Sequence, residues 1–140
     1  MDYIQMIQRL QMTYGNKIIL ISCGAFYIAV GIDAVALNSE LNLKVTCAKN
    51  GICKVGVPKT SIEKYIEVLD KTGYGYIVFD YDKEKIEITK RYEKDGKRRI
   101  INDFNKGCSI CENRKFFRLS EYEEALNKYF KKEFGEDTLW

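Results

Sequence analysis

The side chains able to do chemistry in this chain are few, and the commonest one is missing. There is no histidine among the 140 residues, which removes the usual general base and the usual metal ligand. Five cysteines are present, and two are spaced as Cys108-Ser-Ile-Cys111. One Cys-x-x-Cys supplies two ligands, whereas structural zinc takes four. Cys23, Cys47 and Cys53 are the available completions, but they form no second pair of this spacing. Cys23 and Cys47 also fall in segments with the composition of buried strands, where cysteine acts as a small hydrophobe. Nor does Cys108 follow a strand and open a helix, as a redox dithiol does. The expectation is a chain with no metal and no cofactor, Cys108 and Cys111 being the weak candidates for a metal. Asp80 and Asp82 end an apolar strand, where they could hold a divalent cation or simply form a solvated turn. Gly73-Tyr-Gly75 stands alone, without the helix start of a phosphate loop. No catalytic residue is identified, and the chain is not expected to be an enzyme.

The remaining chemistry is stacking and charge. Phe26 and Tyr27 are adjacent and follow Gly24. Adjacent strand residues point to opposite faces, so if one aromatic is core the other is directed away from it. Charge is uneven along the chain. Between residues 83 and 118, twelve Lys or Arg stand against six acids, whereas residues 120–140 hold three Lys and six acids. A basic segment beside an acidic tail suits a phosphate-facing surface, although interspersed acids also suit a plain solvated hairpin. Arg91, Lys97, Arg98 and Arg99 are the candidate phosphate contacts.

These residues carry a resemblance. Gly24-Ala-Phe-Tyr-Ile28 is similar to the Gly-Asp-Phe-Tyr-Glu segment of the N-terminal mismatch-recognition domain of the MutS DNA mismatch-repair family. Ala34-Val-Ala-Leu-Asn-Ser-Glu-Leu-Asn-Leu43 resembles the following helix of that domain, and Gly56-Val-Pro58 its Gly-Val-Pro turn. Residues 61–74 resemble its next helix with a Gly-Tyr ending, and Lys97 to Ile101 are weakly similar to its last basic strand. The motifs keep their order over residues 1–107. The resemblance implies an exposed Phe26 that enters the minor groove as a wedge and stacks on a mispaired base while the DNA kinks. Residues 108–140, beyond the resemblance, are expected to form a C-terminal extension with an amphipathic helix packed on the same domain.

The departures from the family pattern bear on function. The family's glutamate two residues past the phenylalanine is Ile28 here, and the aspartate before it is Ala25. An apolar side chain cannot bond a base edge, so stacking is expected to survive where the polar check is lost; polar contacts discriminate bases, and stacking tolerates sequence. The resemblance does not extend to the ATPase of that family. Two expectations follow. One is a stand-alone module for mismatched, kinked or otherwise structured DNA, or RNA–DNA, accessory to a polymerase, reverse transcriptase or nuclease on another chain. The other is a protein-interaction adaptor that kept the fold and lost the nucleic-acid site. Phe26 and the basic segment favour the first, Ile28 and the acidic tail the second.

The elements that must position these residues follow from periodicity. With 46% hydrophobic residues and a net charge of +3, the chain is expected to fold around one core. It has no apolar run near the ~18 residues of a membrane span and no signal-peptide pattern at its start, so a cytoplasmic location is the default. Tyr3, Met6, Ile7, Leu10 and Tyr14 share a helix face, which Gly15-Asn16 ends. The branched run Ile18–Ile21 is a two-face-buried strand, expected to continue past Gly24 to Val30. A helix over 33–43 is expected to turn Val35 or Ala36, Ser39 and Leu43 inward. Strands 44–48 and 52–57 flank an Asn-Gly turn. Thr60 and Glu63 have capping-box spacing ahead of a helix with Ile62, Tyr65, Ile66 and Leu69 inside, ended by Gly73. A strand over 74–80 precedes two strands, 85–93 and 97–103, expected to form a hairpin around Asp95-Gly96. Ser120 opens a last helix, lined by Tyr122, Ala125, Leu126, Tyr129 and Phe130. The whole is expected to be an α/β, α+β-like single domain: a mixed sheet flanked by helices, with an added C-terminal helix.

Overall fold

The computed structural model describes residues 3–49, 52–98 and 120–135. Its elements in chain order are α1 (Tyr3–Thr13), β1 (Ile18–Cys23), β2 (Phe26–Val30), α2 (Ile32–Leu41), β3 (Thr46–Lys49), β4 (Ile52–Pro58), α3 (Ile62–Thr72), β5 (Tyr76–Asp82), β6 (Glu87–Lys94) and α4 (Ser120–Phe134). A 3₁₀ turn, Lys59–Ser61, leads into α3. The strands form one sheet in the order β3-β4-β2-β1-β5-β6. Among the described strands only β1 and β5 run parallel; the other neighbouring pairs are antiparallel. This is the mixed sheet with flanking helices that the alternation of patterns requires.

Strand alternation divides the core in two. Ile19 and Ile21 of β1, Ile28 and Val30 of β2, Ile77 and Phe79 of β5 and Ile88 of β6 pack against Ile4, Met6, Ile7 and Leu10 of α1 and against Ala125, Leu126, Tyr129 and Phe130 of α4. The residues between them, Ile18, Leu20, Tyr27, Ala29 and Val78, join Val55 and Val57 of β4 against Ala34 and Leu37 of α2 and Ile62, Ile66 and Leu69 of α3. Both faces of β1 are thus covered, which explains its unbroken apolar run. Tyr14 of the α1–β1 connection and Tyr129 of α4 join hydroxyl to hydroxyl inside this layer, beside Phe79. Among the described residues no helix is long and apolar enough to cross a membrane.

Four expectations are corrected. The strand expected to run through Gly24 is instead a hairpin, with Cys23 facing Phe26 across Gly24 and Ala25. Gly24 sits at φ +60° and Ala25 is not in the positive region, the pattern of a two-residue turn with glycine first. The Thr60–Glu63 capping box does not form: the chain enters α3 through the 3₁₀ turn, and Ser61 makes no side-chain cap. In α2 Ala36 is buried as expected, together with Asp33, Ala34 and Leu37, but Ser39 is exposed; Asn42 ends the helix in the left-handed conformation, and Leu43 packs partly buried against the same layer from beyond the helix. The hairpin expected around Asp95-Gly96 is built one turn earlier, by β5 and β6. Asp82 organises that earlier turn, its Oδ1 accepting the backbone N–H of Glu84 at 3.0 Å and of Lys85 at 3.1 Å. After Gly96, Lys97 bridges Tyr74 in parallel instead of returning along β6. The remainder of the expected basic strand, with Arg99, lies outside the described residues, as do Asn50-Gly51, Cys108 and Cys111.

The carboxylate of Asp33, fully buried in the first turn of α2, joins three elements. Its Oδ2 accepts the backbone N–H of Ile19 at 3.1 Å and the side-chain amide of Gln11 at 2.8 Å, and Gln11 also donates to the Val30 carbonyl at 2.8 Å. Buried carboxylates persist only when so bonded. This one fixes α1 and α2 to the middle of the sheet, on the strands that carry the site.

Candidate nucleic-acid interface

The β1–β2 hairpin occupies the centre of the sheet, so Phe26 is held from two sides. It pairs with Cys23 of β1 and with Pro58 of β4, and the Ala25 carbonyl at the tip accepts the Lys59 backbone N–H at 3.0 Å. On this fixed backbone the two aromatics part. Phe26 is 45% exposed and Tyr27 is 3% exposed. The ring of Phe26 lies over Gly56; a Cβ built there would meet Phe26 Cδ1 at 3.3 Å and Ile28 Cδ1 at 3.4 Å. Gly56 therefore serves here by having no side chain, since the aromatic ring occupies that space.

Ile28 is 6% exposed and belongs to the α1/α4 core layer. It is the floor of the site more than a contact at its surface. Phe26, Ile28 and Gly56, with Lys44, Thr46 and Lys54, line a cavity of about 250 Å³ open to solvent. Thr46 and Lys54 face each other across β3 and β4. Among the described residues no carboxylate pairs with Lys44 or Lys54. Lys59, exposed beside the hairpin tip, stands 5.9 Å from the Tyr27 ring centroid.

The basic segment behaves differently. Arg91 Nη1 lies 3.5 Å from Asp80 Oδ2; Lys90 and Lys94 are paired with Glu93 and Asp70. Tyr27 donates its hydroxyl to Asp80 Oδ1 at 2.6 Å, and burial, with the Asp80 bond second, raises the Tyr27 hydroxyl above its ordinary value. Asp80 is thus a structural anchor between Tyr27 and Arg91, and Asp82 a turn former. Lys97 lies 4.8 Å from the Tyr74 ring centroid, and Arg98 donates twice to Asn16 Oδ1, at 3.0 and 2.8 Å. These two sit where β1 and β5 begin, next to Gly73 and Gly75; Phe26 sits where β1 ends. The length of β1, roughly 20 Å at strand rise, separates them. The structure therefore does not bring Lys97 and Arg98 to Phe26, and it brings Lys44, Lys54 and Lys59 there instead. Periodicity contained part of that signal: Cys53, Val55 and Val57 alternate with Lys54 and Gly56, which assigns the latter two to one face. The strand order that lays this face beside Phe26 was not in the periodicity.

Among the described residues no group of three His, Cys, Asp or Glu could hold a metal ion. Cys53 is buried and Cys23 half-buried. The arrangement offers an apolar aromatic surface with cations around it, and no acid–base or nucleophilic constellation. Fold and site together define a mixed α/β domain that exposes an aromatic side chain on its central hairpin.

The comparisons with known proteins agree with that class. The family model for MutS domain I matches residues 2–113, and this chain belongs to that family. Over 130 residues it is 30% identical to the DNA mismatch repair protein MutS of Trichodesmium erythraeum, covering 87% of this chain and 14% of that protein. Over 80 residues it is 30% identical to the DNA mismatch repair protein MutS of Microcystis aeruginosa, covering 54% of this chain and 9% of that protein. The chain thus spans a small fraction of the length of these relatives. The matched family span ends before α4 begins at Ser120.

Proposed function

We propose that this domain is a stand-alone nucleic-acid-binding module that recognises mismatched, kinked or otherwise irregular DNA through Phe26. The observation that carries the reading is the parting of the two aromatics: Phe26 is 45% exposed on a doubly paired backbone while Tyr27 is 3% exposed. A half-exposed aromatic fixed at a strand end is a wedge whose ordering cost is met on folding, so binding need not supply it. Kinked or unpaired sites are the favoured substrates, because there the base step is already partly unstacked. Membership of the MutS domain I family and likeness to proteins named for DNA mismatch repair support the same substrate class. Both sheet faces carry packed helices, which supports a module that folds and binds by itself. The absence of a catalytic constellation among the described residues fits a role accessory to a polymerase, reverse transcriptase or nuclease.

The burial of Ile28 and the neutralisation of Arg91, Lys90 and Lys94 by acids favour a second reading, a protein-interaction adaptor. One titration separates the two. Fully paired, mismatched, bulged and branched duplexes are titrated with the protein at two salt concentrations. The first reading expects tighter binding to the irregular probes and an affinity that falls with salt. Absence of binding to every probe at low salt leaves the adaptor.

A further inference from the structure

We propose that Cys47 and Cys53 are a thiol–disulfide modification site, which a small-molecule disulfide oxidises to a cross-strand bond that fixes β3 to β4. The site does not rest on the nucleic-acid reading and uses no residue of the β1–β2 hairpin.

The two cysteines stand directly opposite each other in the β3–β4 register. Which kind of pair they form follows from the other side of β4. The Gly31 backbone N–H donates to the Cys53 carbonyl at 2.9 Å, next to the Val30–Lys54 pair of β2 and β4. A strand residue turns its N–H and its carbonyl toward the same neighbour, so Cys53 directs both toward β2 and neither toward β3. Cys47–Cys53 is therefore a non-hydrogen-bonded pair, the closer of the two antiparallel kinds, with Cα atoms about 4.5 Å apart. That lies inside the span of about 4.4–6.8 Å that a disulfide bridges without backbone movement. Cys23 does not compete for Cys53. It faces Phe26 at the start of β2, whereas Cys53 is opposite Gly31 just past its end. From Phe26 to Gly31 the strand rises roughly 17 Å, far beyond the reach of about 7 Å between bridged cysteines.

The strand order gives the two thiols different roles. Among the described strands β3 is an edge paired to β4 alone, and its ladder is interrupted between Cys47 and Lys49. Such an edge opens locally at low cost. Cys53 is 7% exposed on the inner strand β4. Cys47 is thus the point of entry and Cys53 the resolving thiol. The Cys47 thiolate attacks one sulfur of the small disulfide, whose S–S bond breaks; a mixed disulfide forms on Cys47 and one reagent thiolate leaves. The Cys53 thiolate then attacks the Cys47 sulfur, the Cys47–Cys53 bond forms and the second reagent thiolate leaves. The protein loses two electrons and two protons, and the reagent is reduced to two thiols. Two cysteines that merely pack as small hydrophobes would form no such bond.

The test equilibrates the full chain with oxidised and reduced glutathione over a series of ratios, alkylates the remaining thiols and maps the products by trypsin digestion and mass spectrometry. Cleavage after Lys49 separates the two cysteines, so the bond joins peptides 45–49 and 50–54, whereas a bond between Cys108 and Cys111 stays within peptide 107–114. The joined pair is expected as the main oxidised form of Cys53, and dithiothreitol is expected to abolish it. Because the fold holds the pair in register, the oxidation constant is expected to be roughly tenfold or more higher in the native chain than in concentrated urea, about 30 mV in midpoint potential. The bond stabilises the fold in return. Oxidation should therefore raise the thermal midpoint and slow amide exchange over residues 46–49, and neither change should occur in Cys53→Ala or in Cys47→Ser. The second variant, on the edge strand, keeps the comparison open where the first does not fold. Glutathione retained on Cys47 or Cys53 in place of the joined pair overturns the site, as do chains joined to one another through these cysteines. An oxidation constant equal in native and denatured chain overturns the register as its cause. A joined pair with unchanged exchange over residues 46–49 overturns the fixing of β3.

Discussion

The ring of Phe26 rests on the backbone of Gly56, with its Cδ1 3.3 Å from where a Cβ at that glycine would stand. A strand position without a side chain is the seat of the one exposed large aromatic on the central hairpin. The expected behaviour of several variants follows from that contact and from its surroundings.

Phe26→Ala is expected to weaken binding to irregular DNA by about 1–3 kcal/mol, the range for a base–aromatic stack. Because the ring is half exposed, its loss is expected to cost only about 1 kcal/mol of folding stability. A fully buried phenylalanine costs about 3–5 kcal/mol. Denaturant unfolding and probe titration on the same variant distinguish the two; a large stability loss with unchanged binding would make Phe26 a core residue.

Gly56 offers a graded probe of the same contact. Alanine there meets only side-chain atoms at 3.3–3.5 Å, which can give by a few tenths of an ångström. Gly56→Ala is therefore expected to fold with near-parental stability, within about 1 kcal/mol. Gly56→Val is expected to lift the Phe26 ring and fill the cavity, reducing the preference for bulged over paired duplexes while the thermal midpoint changes little. A retained preference in Gly56→Val would show that the seat is immaterial.

Restoring the family's carboxylate by Ile28→Glu is expected to fail as a gain of function. The position is 6% exposed and packed in the α1/α4 layer, so the new carboxyl enters an apolar site. Desolvation disfavours its charged form, and the stability loss is expected to be on the order of 2–4 kcal/mol. That loss should shrink as the pH is lowered, because the protonated acid is cheaper to bury. Urea unfolding of the variant near pH 7 and near pH 5 checks the sign.

Gly96→Ala is expected to be more damaging than its place just after β6 suggests. A Cβ at Gly96 would meet Gly75 N at 2.6 Å and the Tyr74 carbonyl carbon at 2.7 Å, both backbone atoms that cannot move aside. The Lys97 N–H to Gly73 carbonyl bond of 2.8 Å is expected to break. Amide exchange at Lys97 and Gly75 should then accelerate, with about 1–3 kcal/mol lost from folding. Parental exchange rates at both amides would contradict the close approach.

Acid is expected to loosen the β5–β6 side first. The Lys17 ammonium lowers Glu93 and Asp95, and the Tyr76 hydroxyl, with Lys94 second, lowers Asp70. A lowered carboxylate binds fewer protons folded than unfolded, so its contribution is complete above the ordinary values of 4.5 for Glu93 and 3.8 for the aspartates. It is lost as the pH falls through them and below. The thermal midpoint should hold at mildly acidic pH and decline below about pH 4.5, less steeply at high ionic strength. A Lys17→Met variant should decline less; an identical decline would remove this cluster from the account.

The division between what periodicity could and could not supply has physical causes. Helices α1, α3 and α4 carry strong apolar stripes, and a stripe of that kind has one stable orientation. Both-face burial of β1 announced itself in Ile18–Ile21. Turns were harder. Gly24-Ala25 and Asp95-Gly96 are both glycine dipeptides between apolar or alternating runs, yet the first folds back at once and the second does not. What decides is the partner. β2 returns to β1 with β4 beyond it, whereas β6, an edge strand among the described residues, is paired to β5, and Gly96 is drawn toward Gly73 and Gly75. The site was half accessible for the same reason. Phe26 is recognisable locally, but Lys44 and Lys54 come to it only through the pairing of β3, β4 and β2, which is non-local.

α4 has a practical consequence for any fragment of this protein. The span matched by the family ends at residue 113, while Leu126, Tyr129 and Phe130 of α4 cover Ile77, Phe79 and Ile88. A piece trimmed to the family boundary would present those residues to water beside β6, which is an edge strand among the described residues. An apolar patch bordering an unpaired strand is the usual nucleus of edge-to-edge aggregation. Such a piece should be recovered from expression as insoluble material or as self-associated sheets, and the helix that seals it belongs in every working boundary of the domain.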